Sequence, residues 1–309
     1  MSRMIRRISS FVKNSAFFLS GIVFMFFYKV KYLLFGYGVT RVSSLEEMER
    51  IIEYDISIVD EYWISSLAKY AGSGSGISIE GRVILEIGPG YDLGTGLYLL
   101  SKDIAKYNAV DVNNLIHSVP FEFYERFMKR INADPDKSAL LEYQLKRTMS
   151  GRNDRLNYVC SANPDMVNIF GRKSIDLVFS HFSLEHVNDL HKMLSQLDQV
   201  VRPGGVLVSR IDFLTHFRWL RNLDPLNMYR YGAGFYGLFS YSGMPNRKRP
   251  FEFVELFEEN GWDDVQMTPS SLLDDKYLNE SVPYLHSSFS NERNQMQIAS
   301  AVICATKSR

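Results

Sequence analysis

Fourteen uncharged residues, Ser15 to Tyr28 (SAFFLSGIVFMFFY), stand between basic flanks near the start of the chain and predict an apolar helix. A second helix is predicted from Ser44-Leu45-Glu46-Glu47, a capping box in which Ser44 and Glu47 satisfy each other's free backbone amides. It extends to Tyr70 with Ile51, Ile52, Ile56, Val59, Trp63 and Leu67 facing inward, and AGSGSG (71–76) then breaks the pattern. Beyond the break, short apolar runs alternate with helical stretches, as in a mostly parallel α/β sheet covered on both faces. The predicted strands are Arg82–Ile87, Tyr107–Val112, Leu156–Cys160, Ile175–Ser180, Val206–Ile211, Asp264–Thr268 and Gln297–Thr306. The polar stretch between the last two carries no helical stripe, so they are expected to pair antiparallel at one edge.

These patterns divide the chain into an N-terminal basic and apolar segment (1–41), a helix with its linker (42–77) and an α/β domain (78–309). Two connections inside the domain, 113–155 and 213–250, are long enough to read as lids or binding elements. The second is dense in aromatics, from Phe213, Phe217 and Trp219 to Tyr229, Tyr231, Phe235, Tyr236, Phe239 and Tyr241. A small satellite core is the equal alternative for it.

Charge changes the picture of the N-terminus. The chain is neutral overall, yet seven bases and no acid precede residue 42, which leaves the remainder at −7. An acidic body excludes a nucleic-acid-binding face, which needs clustered positive charge. The apolar run is shorter than the roughly 20 residues of a spanning helix. No A-x-A-like cleavage site follows it, and Lys29 and Lys31 oppose export. Residues 11–38 are therefore expected to touch a membrane surface peripherally, as an interfacial or re-entrant helix; a helix capping the domain or a second subunit is the alternative. The expected location is the cytoplasm, on the inner face of its membrane. Cys160 and Cys304 are the only cysteines, each in a strand-like run, and read as buried thiols in a reducing compartment.

The candidate chemistry begins at ILEIGPGYDLGTG, residues 84–96. A phosphate-binding loop of the G-x-x-x-x-G-K-[ST] type needs a lysine that the turn lacks. A dinucleotide turn needs a third glycine where Leu93 stands. Glu86, two residues before Gly88, would repel a pyrophosphate and favour a cationic ligand. Asp111, 21 residues after Gly90 at the end of a strand, is placed to accept ribose hydroxyls. Together they favour S-adenosylmethionine, which carries a sulfonium and an ammonium.

Over about residues 78–307 the sequence resembles the class I S-adenosylmethionine-dependent methyltransferases, in particular the type 11 group. VILEIGPG, NAVDV, VCSANPD, IDLVFSHFSLEHV and VVRPGGVLVS carry the resemblance in order. It implies a Rossmann-like, mostly parallel seven-stranded sheet with helices on both faces and an antiparallel edge strand, after an N-terminal apolar helix. It also implies that Glu86, Gly88, Pro89 and Gly90 line the methionine part, and that Asp111 binds the ribose with Val112 against the adenine. Ser161 and Ala162 would edge the adenine, and Ser180 and His181 would sit beside the methionine amine and the methyl. Family members often carry an acid at the place of Ser161. Arg202-Pro203-Gly204-Gly205 reads as a structural turn aiming the fifth strand.

An oxygen acceptor benefits from a base, for which His181, His186 and His216 are the candidates. Glu185-His186 is similar to the end of a metal-binding Glu-x-x-Glu-His of ubiquinone-type O-methyltransferases. Phe182 replaces the first acid, so no metal is expected. Asn246-Arg247-Lys248-Arg249 reads as a solvated charge run, with an anionic substrate such as a sugar nucleotide or lipid pyrophosphate as the alternative. RIDFLTHF, the aromatic insert and NRKRPFEFVELFEENGW resemble, more loosely, methyltransferases of bacterial surface-polysaccharide clusters. The expected function is methylation, at oxygen, of a sugar, glycan or lipid-linked acceptor. The competing readings are an NAD(P)-dependent oxidoreductase and a non-enzymatic cofactor-binding or scaffold protein at the membrane.

Overall fold

The computed structural model describes residues 2–38, 41–72, 77–132 and 134–308. Most of the expected AGSGSG break lies outside the described residues. Seven strands form one sheet: β1 Val83–Ile87, β2 Lys106–Asp111, β3 Leu156–Cys160, β4 Ile175–His181, β5 Val201–Asp212, β6 Trp262–Leu272 and β7 Ile298–Lys307. Their order is β3-β2-β1-β4-β5-β7-β6. The first five run parallel, and β7 runs antiparallel to both β5 and β6, giving the expected antiparallel edge. The inner strands, covered on both faces, read as continuous apolar runs, whereas edge strand β6 is mostly exposed and shows only its Val265 and Met267 alternation. β5 starts earlier than expected, because Arg202 to Gly205 continue it.

The helices in chain order are α1 Ser2–Phe35, α2 Leu45–Ser57, α3 Ser65–Ala71, α4 Gly94–Ser101, α5 Phe121–Arg130, α6 Pro135–Met149, α7 Met166–Phe170, α8 Leu190–Val200, α9 Arg218–Arg221, α10 Ala233–Gly237, α11 Pro250–Glu259 and α12 Asp275–Ser281. Ser44 Oγ accepts from the Glu47 amide at the start of α2, as its spacing predicts. Between α2 and α3, Ile58–Ile64 is a π-helical turn. It widens the helical repeat, so residues four apart (Asp55, Val59, Trp63 and Leu67) all face the core. Trp63 stacks flat on Phe179 of β4, with ring centroids 4.8 Å apart.

One core lies under α2 to α6 and the other under α7, α8 and α11. The 113–155 connection is no lid: α5 and α6 bury Phe123, Tyr124, Phe127, Leu141 and Leu145 in the first core. The aromatic insert forms a third cluster with α1, in which Met25 meets Phe217, Leu226, Tyr229 and Tyr231. The satellite-core reading describes it.

The N-terminal helix is longer than its uncharged run and docks along one side. Phe17 and Phe18 carbonyls accept from Asn227 and Tyr231 at 2.9 and 2.7 Å. A side chain at Gly21 would lie 2.1 Å from both Asn227 and Tyr231, so glycine permits this approach. The opposite side exposes Leu19, Val23, Phe26, Phe27, Leu33 and Leu34. By length and composition Ser10–Phe35 is long and apolar enough to cross a membrane.

Two further expectations are corrected. Cys160, at the open end of edge strand β3, is exposed, and only Cys304 is a buried thiol. The Asn246–Arg249 run is neither solvated nor free for an anion. Arg247 donates to the Met228 and Tyr231 carbonyls, and Arg249 to the carbonyls of Asn294, Gln295 and Ile298 and to the Tyr229 hydroxyl. Buried guanidinium groups need such partners, so these arginines clamp the insert to the chain ahead of β7.

Candidate functional site

Because β3, β2, β1 and β4 are parallel neighbours, the loops leaving them gather along one edge of the sheet, where open α/β sheets bind ligands. The expected cofactor residues Gly88 to Gly90, Asp111, Val112, Ser161, Ala162 and His181 all lie on these loops or strand ends. Gly88 and Gly90 adopt left-handed backbone (φ +69° and +84°) that other residues reach only with strain. A side chain at Gly90 would point into open space, whereas one at Gly88 would strike Ser183 Oγ at 2.4 Å. Gly94 and Gly96 let α4 close onto Asp55 and the Tyr107 ring.

Behind the turn sits a buried acidic group that the sequence only partly revealed. Glu86 Oε2 accepts from Thr95 Oγ1 at 2.7 Å and from the Tyr107 hydroxyl at 2.6 Å. Burial pushes its carboxyl up to about 7 against those two bonds. Asp92 accepts from the Gly94 amide, and burial raises it to about 6. Asp55 of α2 joins them, held well above the usual carboxylate range by burial and by Asp92. The spacing-of-four face of the helix was the only signal for Asp55. Glu86 is therefore partly protonated near neutrality, which tempers the charge argument drawn from it.

Asp111 ends β2 half-buried, and its Oδ1 accepts from the Asn113 amide at 2.9 Å. Burial raises its pKa, opposed by the amides of Asn113, Gly90 and Val112. Val112 beside it is exposed, as is Ala162, while Ser161 donates its amide to the Asp111 carbonyl. Tyr37, just past α1, also approaches: its hydroxyl is raised by burial and by the Asp111 charge. Its ring would meet a side chain placed at Gly243. No local pattern linked Tyr37 to this edge.

Ser180 departs from expectation. It is fully buried, its hydroxyl has no partner, and its carbonyl accepts from Trp63 Nε1 at 3.3 Å, so it lies beneath the cleft floor. His181 reaches the cleft, with Nε2 3.1 Å from the Tyr54 hydroxyl and its ring against Tyr62 and Phe182. Burial, then the Arg210 charge, lowers its pKa to about 3. Burial also lowers His186, and it takes His216 to about 4 with help from His186. His181 and His216 are therefore neutral imidazoles near pH 7 and lie below the pKa of an efficient base.

His186 and His216 come together with Glu185, their donor atoms all within 4.8 Å of one another. His186 Nδ1 is 2.7 Å from the Gly243 carbonyl, and His216 Nε2 is 3.5 Å from Asp212. Glu185 accepts from the Asp212 amide through Oε1, and its Oε2 has no partner. Such a set could ligate a divalent cation. The expectation of no metal rested on Phe182 alone; the third donor comes from beyond β5.

Residues 85–209 match the family model of a methyltransferase domain (type 11). No curated protein matches the chain. Among solved structures, it is similar to Haemonchus contortus phosphoethanolamine N-methyltransferase 2 in complex with S-adenosyl-L-methionine, with 15% identity and a TM-score of 0.42 over 88% of this chain and 61% of that one. YcgJ from Bacillus subtilis is 13% identical, with a TM-score of 0.43 over 80% of this chain and 98% of that one. An S-adenosylmethionine-dependent methyltransferase from Mesorhizobium loti is 11% identical, with a TM-score of 0.40 over 75% and 93%.

Proposed function

We propose that this chain, which carries a class I S-adenosylmethionine-dependent methyltransferase domain, methylates an oxygen of a sugar, glycan or lipid-linked acceptor at the inner face of the cytoplasmic membrane. The observation that carries the activity is the meeting of the Gly88–Gly90 turn with Asp111 and Val112 at one sheet edge. The residues present fit the cofactor: open space above Gly90, a half-buried carboxylate with lone pairs to offer, and an exposed apolar side chain beside it. When bound, S-adenosylmethionine supplies a methyl group activated by its sulfonium. Asp111 would accept from the ribose hydroxyls, and Val112 would pack on the base.

Alignment and water exclusion are the main tasks left to the protein. Tyr54, Tyr62 and Phe182 surround His181 and supply an apolar wall. A neutral His181 orients the acceptor hydroxyl by hydrogen bonding, and it is too weak a base to remove the proton early. The exposed apolar side of α1 supports the membrane part of the reading, since burial of such a face in a headgroup layer is favourable.

Calorimetry with S-adenosylmethionine and with NADH tests the cofactor assignment; binding of NADH alone would overturn it. Asp111→Ala should weaken S-adenosylmethionine binding by about 1–3 kcal/mol, the cost of leaving ribose hydroxyls unpaired. Unchanged affinity would place the ribose elsewhere.

A pH dependence follows from Glu86. Its folded-state carboxyl lies near 7, above its ordinary 4.5, so folding loses stability as pH rises from about 4.5 to about 7. A cation favours the ionised form, so cofactor affinity should climb between pH 6 and 8 and then level. Glu86→Gln should remove the part of that slope near pH 7, leaving any contribution from Asp92 near pH 6. Identical profiles for the two proteins would separate Glu86 from cofactor binding.

A further inference from the structure

Arg210, near the end of β5, is paired in register with His181 on β4. Its guanidinium lies against two rings, 3.9 Å from the Tyr62 centroid and 4.7 Å from that of Phe182. Among the described residues no acceptor takes a hydrogen bond from it, and its Nε is buried without a partner. Arg210 is half-buried, and the fully buried arginines all have hydrogen-bond partners. Arg230 is held by Asp224 and Asn14, and Arg247 and Arg249 by backbone carbonyls.

Two local distortions build this arrangement. Phe182 has left-handed backbone (φ +52°), a conformation that costs a bulky residue about 1–3 kcal/mol. Its amide is fixed to the Arg210 carbonyl at 2.8 Å. Tyr62 sits on the π-helical turn, a distortion frequent at functional sites. Aromatic rings engage a guanidinium through its flat face, which leaves the N–H donors on its edge for hydrogen bonding. Register pairing puts Arg210 on the same face of the sheet as His181, and its charge is close enough to depress the His181 pKa.

We infer that Arg210 is a specificity residue that receives an anionic oxo group, carboxylate or phosphoryl, of the methyl acceptor. The inference rests on the acceptor side of the proposed methyltransferase reading. A planar fork flanked by rings suits bidentate pairing with either group. The clamp removes the entropy of ordering the arginine, since its stem is already fixed. The anion contact that the sequence offered as an alternative at Asn246–Arg249 thus moves to Arg210, the first residue of RIDFLTHF.

Titration of the full chain with sodium pyrophosphate and, separately, sodium glucuronate, against sodium chloride at matched ionic strength and without cofactor, tests this. One of the two anions should bind saturably, and which one identifies the group. Arg210→Gln should weaken that binding at least tenfold while S-adenosylmethionine affinity and the thermal midpoint stay near those of the parent. If Arg210→Gln does not fold, Arg210→Lys keeps the stem and charge without the fork and should bind at least fivefold more weakly. Equal binding by the folded variant, or saturable binding of neither anion to the parent, overturns the inference. Loss of cofactor binding in the parent with anion binding intact would instead overturn the methyltransferase reading, so the two fail separately.

Discussion

Replacing Asp224 by alanine should lower the free energy of unfolding by about 3–5 kcal/mol, because it strands a cation that no water reaches. Asp224 and Arg230 are both essentially inaccessible. The carboxylate accepts from Arg230 Nε at 2.7 Å and Nη2 at 2.8 Å, from Asn227 Nδ2 at 2.8 Å and from the Tyr277 hydroxyl at 2.7 Å. Arg230 Nη2 also reaches Asn14 of α1 at 2.8 Å. One buried pair therefore ties together the N-terminal helix, the aromatic insert and α12. Urea unfolding measures the loss, and hydrogen exchange over 213–250 locates it. A loss under about 1 kcal/mol would mean that the pair is dispensable. The double change Asp224→Leu with Arg230→Met should recover much of the stability, since well-packed apolar residues often replace a buried pair without cost.

Leu19→Asp, Phe26→Asp and Leu33→Asp together should weaken binding to vesicles of phosphatidylglycerol and phosphatidylethanolamine at least a hundredfold. The three residues lie seven apart on the exposed side of α1. Each loses about 1.5–3 kcal/mol of apolar burial if that side enters the headgroup layer. All three side chains are at least 61% exposed, so folding should be nearly unaffected. This variant is cleaner than removal of residues 1–40, which would strip Asn14 from Arg230 and uncover Tyr231. The docked side also limits how the helix can meet a bilayer: residues held against Asn227 and Tyr231 cannot at the same time face lipid on every side. Flotation of the triple variant with vesicles would contradict the membrane role.

The inner strands were legible because each contains a short apolar run bounded by turn residues, a signal contained within the segment itself. The Gly88–Gly90 turn and Asp111 were legible for a related reason: their spacing is set by one strand and one crossover. Asp55 was not, since its partner Asp92 lies 37 positions later and the pairing exists only once α2 packs on α4. The basic run at 246–249 misled for the opposite reason. Composition made it look solvated, whereas folding brings backbone carbonyls from 228–231 and 294–298 around Arg247 and Arg249. Ser180 ends an apolar strand like His181, and alternation of side chains along the strand put the two on different sides of the cleft floor.

The sequence by itself determined the α/β class, the number and sequence of strands, the cofactor turn and the apolar N-terminus, because period, glycine placement and charge act over a few neighbouring residues. Only the tertiary structure decided which polar groups lose water and which gain partners. That outcome lowers the pKa of all three histidines, sets Glu86 near neutrality, gathers Glu185, His186 and His216, and leaves Arg210 against two rings with no hydrogen-bond acceptor among the described residues. Desolvation and hydrogen bonding depend on contacts between distant segments, and those contacts exist only in the folded chain.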